Sequence, residues 1–185
     1  MLIPKIYEHT TQMKKIIVGF LAVAALAACS TLQSIVRSTI PYTATLIIPS
    51  STSTGTTRSA VSQASSVDQL FGSNSNSQIK EVRIASAKIE ASNPSNQSLG
   101  AFSSIRIYLS RSDGSGEILV ASRNDIGSTV GRSLVLDIDN TRFLDDIIKS
   151  NTARVRMEYV LRNQLTTDIS LKATLGFSSV PTTTQ

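Results

Sequence analysis

Apolar and polar residues alternate along most of the second half of the chain, with the period of two that is typical of half-buried strands. The alternation is clearest in Ala153–Arg162 and Asp168–Ser178. The apolar positions are Val155, Met157, Tyr159 and Leu161 in the first segment and Ile169, Leu171, Ala173, Leu175 and Phe177 in the second. Strict alternation of this kind is typical of antiparallel sheets. Because only Asn163–Thr167 separates the two segments, we expect them to pair directly.

The same period recurs in five segments upstream, and each is a predicted strand. They are Thr43–Ile48, Ile79–Ala91, Ser104–Arg111, Glu117–Ser122 and Arg132–Asp139. In the second, the apolar face moves by one position near Ala85–Ser86, which predicts a β-bulge. Asp113–Gly116 tolerates positive φ and predicts a hairpin between the third and fourth segments. In the fifth, Leu134, Leu136 and Ile138 are expected to point inward.

Three stretches between the strands lack this alternation. Ser50–Ser59 is rich in Ser and Thr and has too few apolar residues to pack, so it predicts a flexible surface loop. Ala60–Phe71 has apolar residues at helical spacing among many serines, which leaves a weak helix and an extended segment both open. Gly72–Gln78 has the composition of a turn-rich loop.

A short helix is predicted after the fifth strand. Asn140 or Thr141 can cap its start. Asp145 and Asp146 would lie in its early turns, where negative charge favours the helix dipole. The apolar side of the helix consists of Phe143, Leu144, Ile147 and Ile148. We expect Asn151 to end it.

About seven strands at short spacing, with one short helix, predict an all-β fold. The spacing favours an immunoglobulin-like antiparallel β-sandwich over residues 43–181. Residues 182–185 form a polar tail.

The start of the chain has a different pattern, because Ile16–Ala28 is an unbroken run of 13 apolar and glycine residues. Lys14 and Lys15 precede the run and Cys29 follows it, which is the order of a secretory signal. A transmembrane helix needs about 20 apolar residues, so the run is too short to remain as a span. We therefore expect residues 1–28 to be a signal peptide that is removed.

Leu26-Ala27-Ala28-Cys29 resembles the lipobox of bacterial lipoproteins. The resemblance implies cleavage before Cys29, addition of a diacylglycerol to its sulfur, and acylation of the new amino terminus with a chain such as palmitate. In enterobacterial lipoproteins, a residue such as Ser30 rather than Asp goes with transport to the outer membrane. Residues 29–42 would then be the lipidated terminus and tether. Met13 is a natural start, so residues 1–12 are either a mis-assigned upstream start or an unusually long basic region.

The stretch from about Lys80 to Val180 is similar in pattern to domains of uncharacterised bacterial lipoproteins. The shared features are the Ser103–Ser110 strand, the Asp113–Gly116 turn, the Ile118–Ser122 strand and the segment from Leu134 to the helix. This resemblance implies a β-sandwich domain and no particular activity.

Removal of the leader limits the chemistry that the chain can carry. The remaining 157 residues suit one domain and hold 15 Lys and Arg against 12 Asp and Glu. His9 is the only histidine and leaves with the leader, and Cys29 is the only cysteine. Ser-His-Asp, Cys-His and His/Cys zinc sites are therefore excluded, and so is an intramolecular disulfide. The arginines are dispersed, which does not favour a nucleic-acid partner.

Two groups of charged residues are candidates for chemistry. The carboxylates of Asp137, Asp139, Asp145 and Asp146, with Asn140, have the oxygen ligands that Ca²⁺ prefers but not the spacing of an EF-hand. We expect them instead to face solvent, to cap, or to meet the helix dipole. The arginines Arg106, Arg154, Arg156 and Arg162 are expected to share a polar face. That face would either pair with neighbouring acids or meet anionic headgroups or an acidic partner.

We therefore expect a non-enzymatic lipoprotein, anchored in the cell envelope through lipid on Cys29, that serves as an interaction or structural module with a protein partner. No catalytic, cofactor or metal-binding residue is assigned. One alternative is a ligand- or carbohydrate-binding lipoprotein of an uptake or adhesion system, which requires a concave pocket from Tyr108, Phe143 and Tyr159. The other is a carboxylate-metal hydrolase that uses the Asp137–Asp146 carboxylates.

Overall fold

A computed structural model describes residues 36–37, 41–70 and 79–181. These residues form two antiparallel sheets around one apolar core, which confirms the all-β sandwich. The strands are β1 Val36–Arg37, β2 Tyr42–Ile48, β3 Thr57–Val61, β4 Ser65–Ser66, β5 Ile79–Asn93, β6 Phe102–Arg111, β7 Ile118–Arg123, β8 Ser133–Val135, β9 Asp137–Ile138, β10 Thr152–Leu161 and β11 Ile169–Pro181. The helical pieces are α1 Asp145–Ile148 and 3₁₀ turns at Asp68–Leu70 and Leu99–Ala101.

Each sheet is built around one long strand from the end of the chain. In sheet 1, β11 pairs with β1 and β2 on one side and with β5 on the other, and β5 pairs with β8. In sheet 2, β10 pairs with β3, β4 and β6, and β7 and β9 complete the order. The expected pairing of β10 with β11 is therefore wrong. The loop Asn163–Thr167 crosses between the layers, and its Leu165 side chain is buried on the way.

The predicted strand faces are confirmed where the alternation is longest. The inward side chains of β2, β10 and β11 are all buried and alternate with more exposed ones. In β5, Gly176 of β11 pairs with Ser86 and Phe177 pairs with Ile84, which leaves Ala85 without a partner. The predicted β-bulge is therefore confirmed, and it keeps Ile84 and Ala87, on its two sides, both buried in the core.

The predicted strand Arg132–Asp139 is wrong as one element. Its first half is β8 in sheet 1 and its second half is β9 in sheet 2. Leu136 lies at the crossing, where its N–H donates to the Ala87 carbonyl at 3.0 Å. Leu134 and Leu136 are buried, but Ile138 is 38% exposed. The alternation stays continuous because the chain changes sheets while it remains extended.

The stretch from Ser50 to Leu70 differs most from expectation, and Phe71 lies outside the described residues. Thr57–Val61 and Ser65–Ser66 are strands, and only Asp68–Leu70 makes a helical turn. The extended alternative is therefore confirmed and the longer helix is wrong. Val67 and Leu70 are buried, because the chain folds over the edge of sheet 2 rather than forming a helical stripe.

Helix α1 has four residues and follows Leu144, with no side-chain cap from Asn140 or Thr141. Instead the Asp139 carboxylate accepts hydrogen bonds from the N–H and hydroxyl of Thr141 at 3.1 and 2.6 Å. Phe143, expected on the apolar side, is 48% exposed. The predicted leader, Cys29, most of the tether, the 72–78 loop and the polar tail lie outside the described residues.

Candidate functional site

The two ends of the sandwich carry different elements of structure. Strand β1 pairs with Ser178–Ser179 near the end of β11, and α1 contacts β5, β6 and β10 at this same end. We call it the anchor end. The opposite end carries the loops Pro49–Thr56, Pro94–Ser98 and Arg162–Asp168, and we call it the loop end. Two grooves, one beside Arg58 and one between Gln97 and Asn163, lie at or beside the loop end.

A groove at the loop end contains one cation and several hydroxyl groups. Its volume is about 340 Å³, and its walls are Pro49, Ser51, Thr52, Ser53, Arg58, Ser59 and Tyr159. Arg58 is the second residue of β3 and pairs with Tyr159 of β10, whose ring lies in the core. We refer to this concavity as the Arg58 groove.

Hydrogen bonds fix the loop Pro49–Thr56 that forms one wall of the Arg58 groove. The N–H and the hydroxyl of Ser50 donate to Asp168 Oδ1 at 2.8 and 2.9 Å. These two bonds, the N–H first, lower the pKa of Asp168 from its usual value. Gly55, at a φ of +71°, donates its N–H to the Leu161 carbonyl at 2.8 Å. Since only glycine adopts this φ readily, it directs the loop back toward sheet 2.

A second groove at the loop end, about 320 Å³ in volume, contains no ionisable side chain. It lies between the turn Gln97–Ala101 and the loop Asn163–Thr166, with Ser128 on one side. Gly100 permits this close approach, because a Cβ there would lie 2.1 Å from the Ser128 carbonyl oxygen. Of the two grooves, only the Arg58 groove presents a charge.

The predicted arginine face is present in part. Arg156, on the outer side of sheet 2, donates to Glu117 through two nitrogens, both at 2.7 Å, and to Glu158 at 2.8 Å. Its guanidinium carbon lies 4.2 Å from the ring centroid of Tyr108, whose hydroxyl donates to Glu158. Arg156 is therefore paired with two acids of its own domain. Arg162 lies elsewhere and donates to backbone carbonyls of two loop-end segments.

The Arg156→Met variant is expected to lose about 1 kcal/mol of stability at pH 7, because Glu117 and Glu158 lose a partly buried partner. Hydrogen bonding to Arg156 lowers the pKa of Glu158 from 4.5. The pair therefore stabilises the fold above about pH 4.5, and this contribution is lost as the pH falls through the lowered pKa. Urea unfolding should show a gap between variant and wild type at pH 7 that narrows at pH 3.

Arg132→Met is the matched control for this prediction. The side chain of Arg132 is 62% exposed, and its Nη2 lies 4.0 Å from Glu90 Oε1. Its removal should change stability by less than about 0.5 kcal/mol. Equal losses in the two variants, or a gap that does not depend on pH, would contradict the assigned role of Arg156.

The carboxylates of the Asp137–Asp146 segment do not converge. Asp137 pairs with Arg123 at 3.2 Å, and Asp139 binds Thr141. Asp145 accepts the N–H groups of Glu81 and Val82 at 2.9 and 3.1 Å, and so covers the edge of β5. Across the described ranges, no three His, Cys, Asp or Glu side chains lie together as a metal site would require.

The three aromatic residues of the expected pocket are separated. Tyr108 lies on the outer side of sheet 2, whereas Tyr159 points into the core and meets the Phe102 ring edge-to-face at 5.7 Å. Phe143 is exposed, with the Arg83 guanidinium 3.9 Å from its centroid. The expected pocket is therefore not formed by these residues, although Tyr159 contributes to the Arg58 groove.

Sequence reasoning missed the Arg58 groove because Ser50–Ser59 has the composition of an unstructured loop. Two features of the segment nevertheless indicate an ordered loop. Pro49 and Gly55 are turn residues at defined places, and Arg58 is the one charged side chain among the ten residues of the segment. An isolated cation surrounded by hydroxyl groups is the pattern that could have indicated a site.

Comparison with known families gives a match at the start of the chain. Residues 13–30, which include Cys29, match the family of the prokaryotic membrane lipoprotein lipid attachment site. The chain therefore carries the signal of a bacterial lipoprotein that is lipid-anchored in the cell envelope. None of the curated proteins matches the chain significantly. Within the part that the structure describes, no helix has the length and apolar character needed to cross a membrane.

Proposed function

We propose that this lipoprotein is a non-enzymatic interaction module that presents the loop end of its sandwich to a protein partner in the envelope. In this proposal the anchor is an acylated Cys29, with palmitate among its chains. The residue after it, Ser30, favours the outer membrane. Residues 1–28 act as the signal peptide.

The position of β1 is the observation that carries this proposal. Only six residues, 30–35, separate Cys29 from β1. A fully extended chain spans about 3.5 Å per residue, so the acylated residue stays within about 25 Å of the anchor end. The loop end is the opposite end of every long strand, and it is the end that such a tether leaves free to meet a partner.

The chemistry of the mature chain supports a role in binding rather than catalysis. Loss of His9 with the leader removes the usual general base. Asp137, Asp139 and Asp145 are engaged with separate partners, which does not favour their use as a general acid–base pair. Turnover of the purified mature protein on a broad hydrolase panel would contradict this part of the proposal.

Photo-cross-linking in intact cells tests which part of the sandwich meets a partner. A photoreactive residue at Thr54 or Ser128 lies at the exposed loop end, and one at Thr45 lies on the exposed face of β2. We expect a discrete protein adduct from Thr54 or Ser128 and none from Thr45. Adducts from Thr45 alone, or from none of the three positions, would contradict the proposal.

A second candidate function is supported by the Arg58 groove. A concave, charged site on a lipid-anchored domain suits a ligand-binding lipoprotein of an uptake or adhesion system. In this case a small ligand, instead of or in addition to a protein, would occupy the loop end.

A further inference from the structure

We infer that the Arg58 groove binds a small ligand through an oxyanion, either the carboxylate of a sugar acid or the phosphate of a sugar phosphate. This inference rests on the second candidate function and assigns it a ligand class. Three observations carry it: the charge balance of the groove, the free donors of Arg58, and the fixed walls.

The groove has a positive charge that the described residues do not neutralise. None of its seven lining residues is acidic. No carboxylate of the described residues lies within 4.0 Å of the Arg58 guanidinium, whereas Arg111, Arg123, Arg132 and Arg156 each have such a partner. An uncompensated guanidinium in a concave site attracts anions.

The free donors of Arg58 suit a planar or tetrahedral oxyanion. Nη2 donates to Ser53 Oγ at 2.7 Å, which orients the guanidinium. Nε and Nη1 make no hydrogen bond within the described part of the chain, so they remain available. A guanidinium offers paired, parallel donors to carboxylate and phosphate, and such charge-assisted bonds are about twice as strong as neutral ones.

The hydroxyl groups around Arg58 suit the rest of a sugar-like ligand. Thr52 Oγ1 and the Tyr159 hydroxyl are 3.5 Å apart, which leaves both with capacity for stronger bonds to a ligand. Ser51 and Ser59 are exposed in the groove walls. Hydroxyl groups both donate and accept, as the hydroxyls of a sugar do.

The size and rigidity of the groove limit the ligand further. Its volume of about 340 Å³ lies at the lower end of the range for small-molecule sites, about 300–1,000 Å³. This favours a ligand of single-sugar size. Asp168 and the Leu161 carbonyl already hold the loop Pro49–Thr56. Ligand binding should therefore cost little conformational entropy for ordering this loop.

Calorimetric titration of the purified mature lipoprotein in detergent tests the ligand class. The probes are glucuronate, glucose 1-phosphate and inorganic phosphate, with glucose as the neutral counterpart. We expect saturable binding of glucuronate or glucose 1-phosphate, at least about tenfold tighter than that of glucose. Preference for the first assigns a carboxylate and preference for the second a phosphate. Binding of inorganic phosphate as tight as that of glucose 1-phosphate, or saturable binding of neither sugar anion, overturns the inference.

Three variants test the assignment to Arg58. Arg58→Gln should weaken binding about tenfold or more, and Arg58→Lys should be intermediate because it keeps the charge without the paired donors. Arg106→Gln is the control, since Arg106 is exposed on the outer side of sheet 2, and binding should stay within about twofold. Equal loss in the Arg58→Gln and Arg106→Gln variants, or no loss in either, overturns the inference.

Ser53→Ala gives a second route if Arg58→Gln does not fold. It removes the hydroxyl that orients the guanidinium and should weaken binding about threefold to tenfold. Unchanged binding in that variant would count against the groove. None of these titrations bears on Cys29 acylation or on the cross-linked partner, so failure here is separable from failure of the proposed interaction module.

Discussion

The Cys29→Ser variant is expected to lose all incorporation of radiolabelled palmitate and to keep its leader. The thiolate is the nucleophile that lipid transfer needs, and a serine hydroxyl is far weaker at neutral pH. We also expect cleavage before residue 29 to fail, since the lipobox resemblance places the cleavage site directly before this cysteine. The effect is all-or-none, because Cys29 is the only cysteine of the chain and its replacement leaves no thiol to accept the lipid.

Ser30→Ala is the matched control for this prediction. It changes the neighbouring hydroxyl and leaves Cys29 intact, so labelling and processing should equal those of wild type. The measurement is fluorography of labelled cells, combined with the mobility of the immunoprecipitated chain. Persistent labelling of the Cys29→Ser chain would place the acyl group on another residue and contradict the proposed anchor.

The Phe102→Ala variant is expected to lose about 3–5 kcal/mol of stability. The Phe102 side chain has 0% exposure and meets the ring of Tyr159 edge-to-face at 5.7 Å. Its removal forfeits the burial of the ring and leaves a cavity between the sheets that the surrounding strands cannot close. For a chain of this length the melting midpoint should fall by about 6–20 °C. Urea unfolding of the mature chain measures the loss directly.

Phe143→Ala makes the same chemical change at a solvated position. Phe143 is 48% exposed, and the Arg83 guanidinium lies 3.9 Å from the centroid of its ring. We expect a loss of about 1 kcal/mol or less, mostly from the cation–π contact. Similar losses in the two variants would mean that Phe102 does not fill the core of the sandwich.

The sequence is sufficient to predict which face of each strand is buried. It is not sufficient to predict which strands lie next to each other in a sheet. Alternation in β10 and β11 reports which side chains leave water, and the burial of both strands matches it. It carries no information on which sheet a strand joins, because each sheet of a sandwich buries one face. For the same reason, the pattern correctly predicts that Leu134 and Leu136 point inward. It does not reveal that the chain changes sheets at Leu136.

The two candidate sites also differ in how far the sequence reveals them. The lipid attachment signal is a contiguous pattern that ends at Cys29, so local sequence reveals it. The Arg58 groove is assembled from the Pro49–Thr56 loop, β3 and a side chain of β10 that is about a hundred residues away. Its loop is held by a distant carboxylate, Asp168, and by the Leu161 carbonyl. Composition alone makes such a loop look unstructured, because the bonds that fix it are long-range.

Mass spectrometry of the amino-terminal peptide of the chain purified from membranes tests the central claim most directly. We expect a peptide that begins at Cys29, with a diacylglycerol on sulfur and a further acyl chain on the new amino group. An unmodified Cys29 within a peptide that still continues from Ala28 would contradict it.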